Sequence, residues 1–178
     1  MEAIKTLEHV GFTIHIYQDE DAQPPDEWGN EDVFLITTRN HYFEVERKGF
    51  TVDGCHDGEY EEKYHALILN AYIHSGVALS LGTGYPFNDQ WDAGQIGYVL
   101  VSKSEGIPDI NKAAEALVEE WNQYLSDDVY GYVVEGTDDS CWGFYGMKYC
   151  IEEAKAAAEA ARKYETELEA QRAVAICI

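Results

Sequence analysis

Apolar and polar residues alternate over 10–17. Val10, Phe12, Ile14 and Ile16 fall on one side, with Gly11, Thr13, His15 and Tyr17 on the other. A two-residue period predicts a half-buried β-strand. The stretch 19–30 breaks it; acidic, with Pro24-Pro25 and Gly29-Asn30, it predicts an exposed loop. Short strands are expected over 32–38 and 42–47, around an Arg39-Asn40 turn. The segment 51–62 (TVDGCHDGEYEE) is irregular and acidic, with a helical turn expected at its end. Apolar runs over 65–74 and 77–81 flank Ser75-Gly76 and predict a hairpin or a strand bent at the glycine. Over 95–102 both faces are apolar, as in a central strand.

The period then changes. Ile110, Ala113, Ala114, Leu117, Val118, Trp121 and Leu125 form one stripe at helical spacing, predicting a helix over 109–126. Pro108 and Asp109 suit its start, where proline is tolerated and an acid favours the positive helix end. Glu115, Glu119, Glu120 and Asn122 fall largely off the stripe and are assigned to the outer face. A hairpin over 129–135 and 140–145 follows, then a helix over 147–172 with a narrow Ile151, Ala154, Ala158, Ala161, Leu168 stripe. Small alanines let that helix lie close to its support. The order predicts an α+β fold: one domain over 1–178, a mainly antiparallel sheet of about six to eight strands, and two helices packed on it.

Charge changes the picture most. The 178 residues carry 34 Asp and Glu against 12 Lys and Arg, a formal net of −22. Residues 18–32 contribute Asp19, Glu20, Asp21, Asp26, Glu27, Glu31 and Asp32 with no base. Residues 105–139 hold ten acids against Lys112 alone, including Glu115, Glu119, Glu120, Asp127, Asp128, Asp138 and Asp139. Residues 147–172, by contrast, are nearly balanced. With 46% hydrophobic residues and 13 Tyr, this is no disordered acidic tail. Such a field acts on partners, and a basic partner is expected. Direct nucleic-acid binding is disfavoured, because neutralising phosphates requires clustered Lys and Arg. A membrane span is not expected, for want of a long apolar run. Nor is a signal peptide, since MEAIKTLEHV has neither a basic flank nor an apolar core. Four irregularly spaced cysteines without a CxxC fit a reducing cytoplasm.

Two segments read as signatures. One is Trp91-Asp92-Ala93-Gly94-Gln95-Ile96-Gly97-Tyr98, continuing to Ser102. The other is Val129-Tyr130-Gly131-Tyr132-Val133-Val134-Glu135 followed by Asp139-Ser140-Cys141-Trp142-Gly143-Phe144-Tyr145-Gly146. With His74-Ser75-Gly76 they resemble a family of uncharacterised proteins of bacteriophages and mobile elements, over residues 65–155. That resemblance carries no catalytic assignment. It implies a context, since such accessory proteins often act against host restriction or CRISPR systems. Physically, glycine beside aromatics in a strand marks a bulge or a ring filling the space that glycine leaves.

Candidate chemistry is thin. Asp53, Cys55, His56, Asp57, Glu59, Glu61 and Glu62 cluster, but their spacing matches neither a calcium loop nor a zinc motif. His74, Ser75 and Asp92 can be drawn as a triad, yet no GxSxG surrounds Ser75. His15, His41 and His65 sit among apolar residues and read as packing or surface positions. No cofactor and no enzymatic activity are expected. By its acidity the chain resembles anti-CRISPR and anti-restriction DNA mimics. Its 22 net charges correspond to roughly 37 Å of duplex, about 11 base pairs. The expected function is inhibition of a cytoplasmic host defence nuclease by occupying its basic groove, through the fourteen acids named above in 19–32 and 115–139. The alternatives are a partner-binding surface of exposed aromatic strands, and a metal enzyme or ligand binder built on 53–62.

Overall fold

The computed structural model describes residues 2–25, 30–40, 42–83, 92–104 and 106–176. Its elements in chain order are β1 (Lys5–His9), β2 (Phe12–Gln18), β3 (Val33–Thr37), α1 (Val52–His56), β4 (Tyr64–Ile73), β5 (Val77–Leu81), β6 (Ala93–Ser102), α2 (Ile110–Leu125), β7 (Val129–Val134), β8 (Ser140–Tyr145) and α3 (Met147–Ile176). The fold is α+β, and every strand pairing described is antiparallel. The eight strands, expected in one sheet, are divided between two of four strands each. The chain forms two compact units, residues 24–126 and residues 1–23 with 127–178.

In the 24–126 unit the order is β3-β6-β4-β5. The inner strand β6 is covered on both sides, which is why its sequence is apolar on both faces. On one side Val99 and Val101 pack with Leu35, Leu69 and Leu79 against Leu117, Val118 and Trp121 of α2. On the other, Tyr98 and Leu100 join Phe34, Ile36 and Cys55, with Phe50 and Tyr60 beside them. A Cβ at Gly97 would run into the carbonyl oxygen of Ile36, so glycine lets β3 and β6 approach closely. The Asp109 carboxylate accepts the Lys112 N–H at 3.0 Å and caps α2.

Three expectations for this unit change. Residues 42–47 form no strand. Phe43 and Val45 are buried in alternation, but the backbone bonds between the segment and β3 are confined to Thr37 among the described residues. The Thr37 N–H donates to the Val45 carbonyl at 3.1 Å, and the Val45 N–H donates to Thr37 Oγ1 at 2.9 Å. Periodicity reported burial; it could not report pairing. Asn122 does not face outward either. Its amide accepts the Leu79 N–H at 2.7 Å and donates to the Leu79 carbonyl at 3.0 Å. One side chain thereby occupies two groups on the open edge of β5, where unpaired backbone invites foreign strands. The helical turn of 51–62 lies at the start of that segment, as α1, rather than at its end.

In the 1–23/127–178 unit the order is β1-β2-β7-β8, with α3 on one face. Phe12, Ile14, Ile16, Tyr132 and Val134 meet Cys150, Ala154 and Ala158, all three of them buried. Four-residue spacing puts these small residues in one row, and their size brings the helix backbone close to the strands. Arg162 stacks its guanidinium 4.9 Å from the Phe12 ring centroid and donates to the Val10 carbonyl at 2.9 Å. Val10, expected to open the strand, instead forms with Gly11 the two-residue turn between β1 and β2. Both have positive φ, 44° and 86°. The turn type that suits hairpin twist requires that conformation, which β-branched residues adopt only with strain.

Candidate functional site

Of the fourteen acids singled out in the sequence, Asp26 and Glu27 lie outside the described residues, as does His41. Those of the 1–23/127–178 unit form two groups. Asp19, Glu20 and Asp21 follow β2, while Asp127 and Asp128 precede β7; the Asp19 N–H donates to the Val129 carbonyl, joining the two stretches. Asp138 and Asp139 sit on the β7–β8 turn, at the far end of β7. A six-residue strand separates the groups by about 20 Å.

Several of these acids hold the backbone together. The Asp19 carboxylate accepts the Gly143 N–H at 3.0 Å and the Asp21 N–H at 3.2 Å. Asp127 has a φ of 58°, and its carbonyl takes the Gln18 side-chain amide. Asp128 accepts from Tyr130; burial first, and that carboxylate second, push the Tyr130 phenol up to about 12. Glu20, Asp21, Asp127, Asp138 and Asp139 present exposed carboxylates that make no hydrogen bond or ion pair among the described residues.

The 24–126 unit carries Glu31, Asp32, Glu115, Glu119 and Glu120, all exposed. Asn30 Oδ1 shapes the first pair, accepting the Asp32 N–H at 2.9 Å and the Val33 N–H at 3.1 Å. Glu115, Glu119 and Glu120 lie on α2 away from its packed stripe. Desolvation against the helix surface raises the Glu120 carboxyl above its ordinary value. Among the described residues, none of the twelve described candidates forms an ion pair with Lys, Arg or His. The salt bridges with Lys or Arg, Lys148–Glu152 and Arg162–Glu165, lie on α3.

The other candidate chemistry is placed as follows. Among the described residues no group of three or more His, Cys, Asp or Glu side chains could hold a metal ion, and every member of the 53–62 cluster is described. Cys55 of that cluster is buried, and desolvation pushes its thiol up to about 11, so it carries no thiolate at neutral pH. Cys150 is pushed up to about 12 by burial, with Cys141 adding to it. His74 Nδ1 and Asp92 Oδ2 do meet, at 2.8 Å, beside the stacked Tyr72 ring.

One arrangement escaped the sequence reading. Trp142 lies over Gly131, where a Cβ would collide with the indole, and its ring centroid is 5.9 Å from that of Tyr17. Trp142 remains 42% exposed. The glycine-beside-aromatic pattern predicted a ring in glycine's space; which ring, and on which face, depends on strand pairing. No protein-family model matches the chain, and no curated protein or solved structure matches it either. Among the described residues no helix is long and apolar enough to cross a membrane.

Proposed function

We propose that this protein inhibits a basic nucleic-acid-binding protein, a nuclease of a host restriction or CRISPR system, by occupying its nucleic-acid groove in the cytoplasm. The resemblance to phage and mobile-element proteins gives the context. The observation that carries the reading is the uncompensated charge: among the described residues the twelve candidate acids form no ion pair with a base, whereas Glu152 and Glu165 of α3 do. Exposed carboxylates without counter-charges keep their field available to a partner and speed encounter with a basic groove. Inhibition is competitive and involves no bond chemistry.

The test is retention of host proteins on the immobilised protein at low and high salt, followed by elution with a duplex oligonucleotide. A nuclease held at low salt, displaced by duplex and lost when Glu20, Asp21, Asp138 and Asp139 become amides is the expected result. A partner that resists both salt and duplex, and ignores those substitutions, refutes the reading.

A further inference from the structure

The sheet of the 1–23/127–178 unit has a second face, and its chemistry differs from the one under α3. Pairing of β1, β2, β7 and β8 fixes which residues share it. Phe12, Ile14 and Ile16 point to α3, so Thr13, His15 and Tyr17 point the other way. Opposite them across the ladders stand Thr6 and Glu8 on one side, and Gly131 and Val133 on the other. Trp142 closes the row over Gly131.

Three features of this face belong together. First, it carries a run of rings: His15 and Tyr17 at 6.4 Å, then Tyr17 and Trp142 at 5.9 Å. Second, carboxylates border the run. Glu135 Oε2 is 3.5 Å from His15 Nε2, and Glu8 Oε1 accepts from Thr13 Oγ1 at 2.9 Å. Third, no Lys or Arg stands on it among the described residues. Lys5 pairs with Ile16 and so shares the α3 face; the remaining bases of this unit, Lys148, Lys155, Arg162, Lys163 and Arg172, are on α3 itself. Val129, on the same face, is only 1% exposed, so the accessible part lies towards Glu8, Glu135 and Trp142.

We propose that this face, the one turned away from α3, is a docking surface for arginine side chains of a basic protein partner. A guanidinium is planar, weakly hydrated and always charged; it stacks on aromatic faces while its edge donates to carboxylates. The Tyr17–Trp142 pair supplies the faces at one end of the row, and Glu8 and Glu135, beside Thr13 and His15 about 13 Å further along β2, supply acceptors for further arginines of the same partner. The unit already makes such a contact internally, with Arg162 over Phe12 and bonded to Glu165. Lysine has the charge without the plane, so the face discriminates between the two bases where bulk acidity cannot. This rests on the proposed function for the basic partner, and adds the side chain that is recognised.

The test compares an oligoarginine and an oligolysine peptide of equal length, titrated against the full protein and followed by calorimetry. Physiological salt is used, since it screens exposed charges more than about 8 Å apart. The expected result is arginine preferred by about fivefold, the range of one stacked cation at a partly exposed site. Trp142→Ala removes the preference at unchanged net charge, and Trp142→Phe restores part of it. Should Trp142→Ala disturb folding by circular dichroism, Tyr17→Leu carries the same expectation. The combined Glu8→Gln and Glu135→Gln protein binds both peptides more weakly. Equal affinity for the two peptides, or a preference that survives both ring substitutions, overturns the proposal. If a nuclease is displaced by duplex without any arginine preference, this inference fails and the mimic reading stands. An arginine preference without a displaceable nuclease has the opposite meaning.

Discussion

Helices α2 and α3 each cover one face of a four-stranded antiparallel sheet, but they do it in different ways. Helix α2 offers Leu117, Val118 and Trp121, large groups that reach into the sheet. Helix α3 offers Cys150, Ala154 and Ala158, small groups that let the strands supply the bulk through Phe12, Ile14, Ile16 and Tyr132. Each is also tied to backbone by one polar side chain: Asn122 to Leu79, and Arg162 to the Val10 carbonyl. Their outer faces diverge as well. Lys112 is the one base within α2, whereas α3 interleaves five bases with its acids. A helix-on-sheet layer thus needs total volume at the contact rather than a fixed side for the large residues, and this leaves the outer face free to vary in charge.

The strongest way to break this comparison is to change volume. Trp121→Ala should cost about 3–5 kcal/mol, the loss expected for truncating a large buried aromatic. Ala158→Leu should cost about 1–3 kcal/mol for the opposite reason, overpacking against β2 and β7. Urea unfolding measures both, with Ala156→Leu, at an exposed α3 position, as the control. If Ala158→Leu is as silent as Ala156→Leu, the close approach of α3 is not what seats it.

The polar ties come next. Asn122→Ala leaves the Leu79 N–H and carbonyl without their partner, and a loss of about 1–3 kcal/mol is expected. Asn122→Asp keeps only the acceptor and should recover part of that. An unchanged urea midpoint in the alanine variant would show that water replaces the amide at no cost.

At the other sheet, Val10→Asn relieves a β-branched residue held at φ 44° and creates the Asn-Gly pair favoured in this turn. A gain of about 1 kcal/mol is expected from the strain removed. The Arg162 bond is to the Val10 backbone, so it survives the substitution. Destabilisation would mean that the valine side chain packs in a way its exposure does not suggest.

The smallest effect concerns charge on α2. Glu120 is raised above its ordinary value by desolvation, so the folded protein binds its proton more tightly than the unfolded chain does. Its contribution to stability is therefore present in acid and is lost as pH rises through the folded value. Glu120→Gln should raise the melting temperature slightly at pH 7, by no more than about 0.5 kcal/mol equivalent. The gain should vanish below the usual carboxylate range. A gain independent of pH would refute the electrostatic cause.

Much of the fold was legible in the chain. The hairpin over 65–81, the two-faced strand at 95–102, the helix at 110–125 and the 129–145 hairpin all follow from period and punctuation, which act locally. The α+β class followed from their order. Less visible was β1, whose Leu7 is its single large apolar residue; it is recruited by pairing with β2. The acids were plain as composition, yet their roles were not. Asp19 and Asp128 serve neighbouring backbone and a phenol, because the groups that they bond are distant in sequence or hidden until strands align.

By itself, then, the sequence determined the local elements, the excess of negative charge and the concentration of bases near the C-terminus. Each is a property of short windows or simple sums. Tertiary structure alone decided the division into two sheets and the inward turn of Asn122. It also decided that Tyr17 and Trp142 meet, and that Glu8 and Glu135 stand on the same sheet face, one that carries none of this unit's described Lys or Arg. The ring contact joins residues 125 positions apart, Tyr17 and Trp142. Only strand register, set by turns and by the packing of α3, brings them within reach of one another.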